Sequence, residues 1–212
     1  MIIYAVADIH GRKSRIASIL DTVSEKKPDV LVLAGDINRY FKSSGEISSF
    51  GSLPLPVLAI RGNTDSKKVE TNLSVFPNIS FLNFSEKVIN GFMFTGVGGT
   101  IPVPFASRIK FSESSAIKKL ETIVKKDSIL IAHPPPRGTL DEVLGKFHAG
   151  CSGLNHIVAK CRPRLLICGH IHERPGSAFL GNTLVVNCSM GMKGKGALIR
   201  MDKTKLPIVE MM

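Results

Sequence analysis

Ile2-Ile3-Tyr4-Ala5-Val6-Ala7-Asp8-Ile9-His10 opens the chain and decides the fold. A short run rich in Ile and Val that stops at polar residues reads as a buried strand. Here the run stops on two metal-ligand types, Asp8 and His10. The arrangement recurs four times: Val30 to Ala34 precedes Gly35-Asp36, and Val57 to Ile60 precedes Gly62-Asn63. Ile129 to Ala132 precedes His133-Pro134, and Leu165 to Cys168 precedes Gly169-His170-Ile171-His172. Five strands thus deliver ligand-type side chains at their carboxyl ends, where open α/β sheets place their sites.

Working outward, Ile16, Ile19, Leu20 and Val23 fall on one face of a helix from Lys13 to Lys26, ended by Pro28. Further helices are expected near Glu46 to Phe50, over Ser66 to Leu73 with Ser66 as N-cap, over Glu113 to Lys126 with Ser112 as cap, and near Leu154 to Lys160. Asn90-Gly91 marks a two-residue hairpin turn, and Gly181-Asn182 a second. Pro134 to Pro136 exclude regular helix or central strand after His133. The pattern opens as βαβ and later mixes helices with hairpins. It fits an α/β fold, two packed sheets with helices outside, built from residues 1–212 as one domain.

Hydrophobic residues make up 43% of the 212, and no apolar run approaches the about 20 residues of a membrane span. The opening run reads as a strand and not a signal peptide, so a cytoplasmic setting is expected, with Cys151, Cys161, Cys168 and Cys188 reduced. None of the four forms a C-x-x-C pair, which removes ribbon-type zinc and dithiol redox readings. The formal charge of +11 favours phosphorylated substrates in general. Nucleic acid is one such partner. The basic residues are scattered, however, and a chain with no Trp and two Tyr shows no stacking platform.

Each polar motif alone has an ordinary explanation as a turn or a loop hydrogen bonder. Together they place two carboxylates, one carboxamide and four imidazoles at strand ends: Asp8, His10, Asp36, Asn63, His133, His170 and His172. Buried charges are costly unless paired or metal-bound. Seven N/O ligands exceed what one zinc needs and suit two divalent cations.

The order D-x-H, G-D, G-N-x-D, H, G-H-x-H resembles that of the calcineurin-like metallophosphoesterases. Gly98-Gly99, His133-Pro-Pro-Pro-Arg-Gly138, His148-Ala-Gly150, Gly169-His-Ile-His-Glu173 and Val185-Val-Asn187 resemble the small prokaryotic Icc-related predicted phosphoesterases. The resemblance implies a four-layer α/β/β/α sandwich. It also implies a first metal on Asp8, His10 and His172, a second on Asn63, His133 and His170, and Asp36 bridging both. It further implies in-line attack on phosphorus by a metal-bridging hydroxide, with Asn63 helping to stabilise the phosphoryl oxygens. Manganese is the first expectation, with Fe, Co, Ni or Zn as alternatives. The substrate is expected to be a phosphodiester or phosphomonoester, a small or cyclic nucleotide first. A nuclease, or a metal-binding scaffold of the same fold, are the competing readings.

The chain departs from the family where many members carry a histidine, a candidate acid for the leaving oxygen: it reads Gly62-Asn63-Thr64-Asp65. Thr64 cannot supply a proton as an imidazole does near neutral pH. His148 is the candidate substitute, as acid or substrate contact; it also reads as an ordinary loop histidine. Arg61 reads as a phosphate contact or a surface arginine. Asp65 reads as the cap of the following turn or as a residue that orients a ligand, and Phe105 and Arg108 as pocket or loop-packing residues.

Overall fold

The computed structural model describes residues 1–38, 45–99, 113–191 and 194–212. Strand β1 (Ile2–Val6), helix α1 (Lys13–Lys26) and strand β2 (Val30–Ala34) form the opening βαβ unit. Helix α1 stops because Lys27 turns left-handed, at φ 45°, and its N–H returns to Val23 O just before Pro28. A 3-10 helix (Gly45–Ser52), β3 (Val57–Ile60), α2 (Lys67–Leu73) and β4 (Ile79–Phe81) complete the first half. Ser66 occupies the N-cap position of α2 in extended conformation, but its side chain makes no capping bond.

The second half runs β5 (Ser85–Ile89), β6 (Phe92–Val97), α3 (Glu113–Ile123), β7 (Ile129–Ala132), β8 (Glu142–Val143), β9 (Phe147–His148) and α4 (Ser152–Cys161). It ends with β10 (Leu165–Cys168), β11 (Gly176–Leu180), β12 (Thr183–Asn187), β13 (Ala197–Arg200) and β14 (Ile208–Met211). Asn90 and Gly91 both take positive φ, 50° and 75°, as a two-residue turn matching the strand twist requires. Helix α3 ends at Ile123, short of the expected Lys126. Lys125 and Lys126 belong instead to the turn that leads into β7, where Ser128 N–H bonds Lys125 O.

Two six-stranded sheets result, ordered β14-β13-β1-β2-β3-β4 and β11-β12-β10-β7-β6-β5. β1 to β4 are mutually parallel, as are β6, β7, β10 and β12. Period-2 alternation sorts each strand between two interiors. Ile3, Ala5, Val32, Leu58, Phe94, Ile131, Ile167 and Val186 form the core between the sheets. Tyr4, Val6, Leu31, Leu33 and Ala59 face the other way, onto Ile16, Ile19 and Val23 of α1 and Val69 and Leu73 of α2. Leu130, Leu166 and Val185 of the second sheet meet Leu120 of α3 and Leu154, Ile157 and Val158 of α4. The expected four-layer α/β/β/α sandwich is therefore the observed one. Burying each such aliphatic side chain contributes about 1.5–3 kcal/mol, which makes these three layers of contact the main stabilising term.

The sheets are stitched together at one edge. Ala7, just past β1, bridges Ser189, just past β12, through Ala7 N–H to Cys188 O at 3.1 Å and Met190 N–H to Ala7 O at 3.0 Å. That edge holds the carboxyl ends of β1, β2, β3, β7 and β10, so the five polar motifs emerge together. No helix among the described residues is long and apolar enough to cross a membrane. All four cysteines are free thiols.

Candidate metal centre

The β1–β2 pairing continues past the strands and sets the first two motifs. Asp8 N–H bonds Gly35 O at 3.0 Å and His10 N–H bonds Asp36 O at 2.9 Å. Asp8, His10, Asp36 and His170 all have positive φ, between 50° and 69°. L-residues adopt that region at a cost, and clustered outliers of this kind mark functional turns. Glycine permits the remaining close approach. A Cβ at Gly62 would strike Asp36 Oδ1 and the Asp36 backbone nitrogen. Gly62→Ala is expected to push the Asp36 carboxylate aside, costing about 1–3 kcal/mol from overpacking and about 10²-fold in turnover from misplacement. A thermal melt and a phosphoesterase assay on one preparation check both figures.

All seven ligand candidates converge. Asp8 Oδ1 lies 3.4 Å from His172 Nε2 and 3.9 Å from His133 Nε2. Asp36 presents Oδ1 to His133 Nε2 at 3.5 Å and Oδ2 to His10 Nε2 at 4.0 Å. Asn63 Oδ1 sits 3.0 Å from His133 Nε2 and 3.1 Å from His170 Nδ1. His10 and His172 meet through their Nε2 atoms at 3.5 Å. Among the described residues, two groups have donor atoms close enough to share an ion: Asp8, His10 and His172, and Asp8, Asp36 and His133.

The donor set fits divalent cations. Asp8 Oδ1 is buried and has no hydrogen bond among the described residues, a cost a cation removes. His133 donates Nδ1–H to Ala34 O at 2.9 Å, which fixes its tautomer and turns Nε2 toward the carboxylates. Burial opposes ionisation of Asp8, but the His172 and His133 imidazoles outweigh it and hold the carboxyl below its usual range. Asp36 is likewise buried, and His133 together with the Thr64 N–H keeps it ionised well below the usual carboxylate range. Burial disfavours a charge on His133, yet Asp36 and Asp8 pull its pKa up to about 9. Two buried carboxylates thus demand positive charge at this point, and a divalent cation meets that demand more fully than one proton. Burial, with His133 next to it, lowers His170 to about 4, so it stays neutral and able to ligate.

Four supporting residues complete the site; Asp65 and Asn187 lie in motifs the sequence offered, whereas Arg15 and Asp141 carried no signal. Asp65 does not cap α2. It is buried, and its carboxylate accepts the N–H groups of Ile37 and Gly62 through Oδ2 and of Asn38 through Oδ1, at 2.9–3.0 Å. It thereby locks the Asp36 loop to the Asn63 loop. Burial and the Asp36 charge raise its carboxyl to about 6. Arg15 of α1 donates to Asp8 O and Gly191 O, clamping the turn from behind. Asn187 holds the histidine loop by donating to Ile171 O at 2.8 Å and Arg174 O at 2.9 Å. Asp141 is the fourth, and it binds His148.

Thr64 contributes through its backbone: its N–H bonds Asp36 Oδ1 at 2.9 Å while its hydroxyl turns to Asn38 O at 3.5 Å. Arg61 is ion-paired with Glu70 of α2 at 3.0 Å, so its guanidinium is already engaged. His148 lies on β9, outside the seven-residue cluster, with Nδ1 on Asp141 Oδ1 at 2.7 Å. Ser112, Phe105 and Arg108 lie outside the described residues.

Residues 1–174 match the family model described as calcineurin-like phosphoesterase. The chain belongs to that family. It is a metal-dependent phosphoester hydrolase by that membership. It is 33% identical, over 202 residues, to an uncharacterised protein of Methanocaldococcus jannaschii, covering 89% of this chain and 88% of the relative. Among solved structures it is similar to a dimetal phosphatase from Danio rerio, at TM-score 0.69 and 11% identity over 100% of this chain and 95% of the other. It is also similar to an archaeal phosphodiesterase, at TM-score 0.60 and 15% identity over the whole of both chains. At these identities the structural likenesses speak for the fold of this phosphoesterase.

Proposed function

We propose that residues 1–212 of this phosphoesterase act as one catalytic domain that holds two divalent cations, manganese first, and hydrolyses small phosphodiesters of the nucleotide or cyclic-nucleotide class. The carrying observation is Asp36, whose two oxygens face different histidines, Oδ1 toward His133 and Oδ2 toward His10. A single carboxylate shared between two imidazole sets is the arrangement a bridging ligand needs. Asp8, His10 and His172 would hold one ion, and Asn63, His133 and His170 the other. When bound, the pair supplies an acidified water and neutralises charge on the phosphoryl group. The chain's own contribution is placement. The left-handed turns aim the carboxylates, Asp65 and Arg15 fix the loops that carry them, and Asn63 offers an amide to a phosphoryl oxygen. The same fold carrying an archaeal phosphodiesterase and a dimetal phosphatase supports the reading.

Among the described residues, one group of basic side chains lies away from the proposed centre. Lys125, Lys126, Arg164 and Lys203 gather in a groove that also contains Ser128 and Phe92, at the amino ends of β7 and β6. That is the opposite edge from the metal centre, so the groove does not feed a polynucleotide into it. A complete ligand set on strained turns argues against the scaffold reading. A cytoplasmic setting is proposed with this substrate class.

The test is the metal-stripped protein with an aryl phosphodiester, an aryl monoester and cyclic nucleotides, before and after adding Mn²⁺. Turnover that needs metal and favours diesters is expected. No turnover with Mn²⁺, Co²⁺, Ni²⁺ or Zn²⁺ would overturn the reading. Chelation is also expected to lower the melting temperature. Each ion present at a hundredfold its Kd adds about 2.7 kcal/mol, worth about 5–10 °C per ion at this chain length.

A further inference from the structure

Asp141 is 1% exposed and belongs to no ligand group, so its buried carboxylate needs a purpose. Its Oδ1 receives Nδ1–H of His148 at 2.7 Å, and its Oδ2 receives the N–H of Gly150 at 3.0 Å. The His148 ring is otherwise open, 45% exposed. Gly138, Leu140, Asp141, Glu142, His148 and Arg174 line a recess of ≈200 Å³ around it.

Three contacts fasten this recess to the metal centre. Ala149 and Val143, on the β8–β9 hairpin, pack against Ile171, which lies between His170 and His172. Arg174, two residues beyond His172, pairs with Glu142. Cys151 N–H bonds Pro135 O at 2.9 Å, two residues beyond His133. The hairpin is thus joined to both histidine loops, and its one imidazole has a buried carboxylate behind it. At the position where an acid was expected, Thr64 has its hydroxyl turned to Asn38 O.

We propose that this recess receives the leaving group of the ester and that His148 protonates the departing oxygen. The inference rests on the phosphoesterase reading above. With Nδ1–H held by Asp141, the proton to be given is the one on Nε2. As the phosphorus–oxygen bond to the leaving group breaks, its electron pair stays on the leaving oxygen, which takes the Nε2 proton. The ring is left neutral, still bonded to Asp141, and regains a proton from water at its exposed edge. Asp141 is a positioning residue. The charged groups around His148 are Asp141, Glu142 directly across the β8–β9 pair, Arg137 (whose Nη1 donates to His148 O at 3.2 Å), Arg174 and Lys146 of the connecting turn.

The experiment measures kcat/KM of the manganese-loaded full chain over a series of phosphodiesters whose leaving groups run from nitrophenol to alkyl alcohol. Wild type, His148→Ala and Asp141→Asn are compared, each checked by thermal melt. Wild type is expected to fall shallowly along the series. His148→Ala is expected to lose about 10²–10⁴-fold at the alkyl end, the range of general acid catalysis, and almost nothing at the nitrophenyl end. Asp141→Asn is expected to lose activity at the alkyl end too, by less than His148→Ala, and almost nothing at the nitrophenyl end. Uniform loss in His148→Ala, no loss, or a wild-type series already as steep as the variant's would overturn the inference alone. A wild type inactive on every ester would overturn the phosphoesterase reading, and the inference with it.

Discussion

Asp36→Asn is expected to cut metal-dependent phosphoester turnover by on the order of 10³-fold or more, at least the loss seen when one preorganised charge-stabilising group is removed. The substitution keeps shape and removes charge. An asparagine oxygen can still accept the Thr64 N–H that Asp36 Oδ1 now takes at 2.9 Å. The amide nitrogen would then take the place of Oδ2 and face His10, and the negative charge shared by the two sites is gone. Metal-free stability should fall modestly as well. Against the cost of burial, His133 and the Thr64 N–H hold the Asp36 carboxyl below its usual range, so its charge stabilises the fold at neutral pH, and relief of its repulsion with buried Asp65 offsets only part of the loss. The metal-free variant is therefore expected to stay folded and to melt somewhat below the metal-free wild type. Parallel melts and assays separate the effects: lost activity with lost fold, or retained activity, would contradict the shared-ligand role.

Asp65→Ala is expected to have the largest effect on stability. Three buried N–H groups, on Ile37, Asn38 and Gly62, lose their acceptor. Each orphaned donor costs about 1–3 kcal/mol. Relief of the repulsion with Asp36 and entry of water into the small gap offset part of this. A net loss of about 2–4 kcal/mol is expected, and at about 2–4 °C per kcal/mol the melting temperature falls by about 4–16 °C. Activity falls too, because Asp65 is what ties the loop of Asp36 to the loop of Asn63. A loss below about 1 kcal/mol by denaturant titration would show that the clasp is dispensable, since surface-type substitutions stay within about 0.5 kcal/mol.

The layered fold was legible because its central strands are buried on both faces and carry unbroken apolar runs. Val30 to Ala34 and Leu165 to Cys168 need no partner to be recognised. β14 was not legible: most of its side chains are exposed, and apart from Val209 on the core it is held by backbone pairing to β13. β4 is only Ile79–Phe81, and β8 and β9 have two residues each, too short for a period to show. The ligand candidates were legible because strand ends concentrate them. The roles of their supports were not, because each acts across the fold. Asp65 looks like a cap until the β2 and β3 loops are seen side by side. Arg15 looks like a solvent-facing helix residue until its guanidinium is found on Asp8 O and Gly191 O. His148 was visible as a histidine, but Asp141 becomes its partner only once β8 and β9 pair.

The most direct test of the central claim is a calorimetric titration of Mn²⁺ into the metal-free full chain, with metal content confirmed by elemental analysis. The expected result is two ions per chain for wild type, with Asp36→Asn losing at least one. One ion per chain in wild type, or two held undiminished without the Asp36 charge, would contradict a centre built on a shared carboxylate.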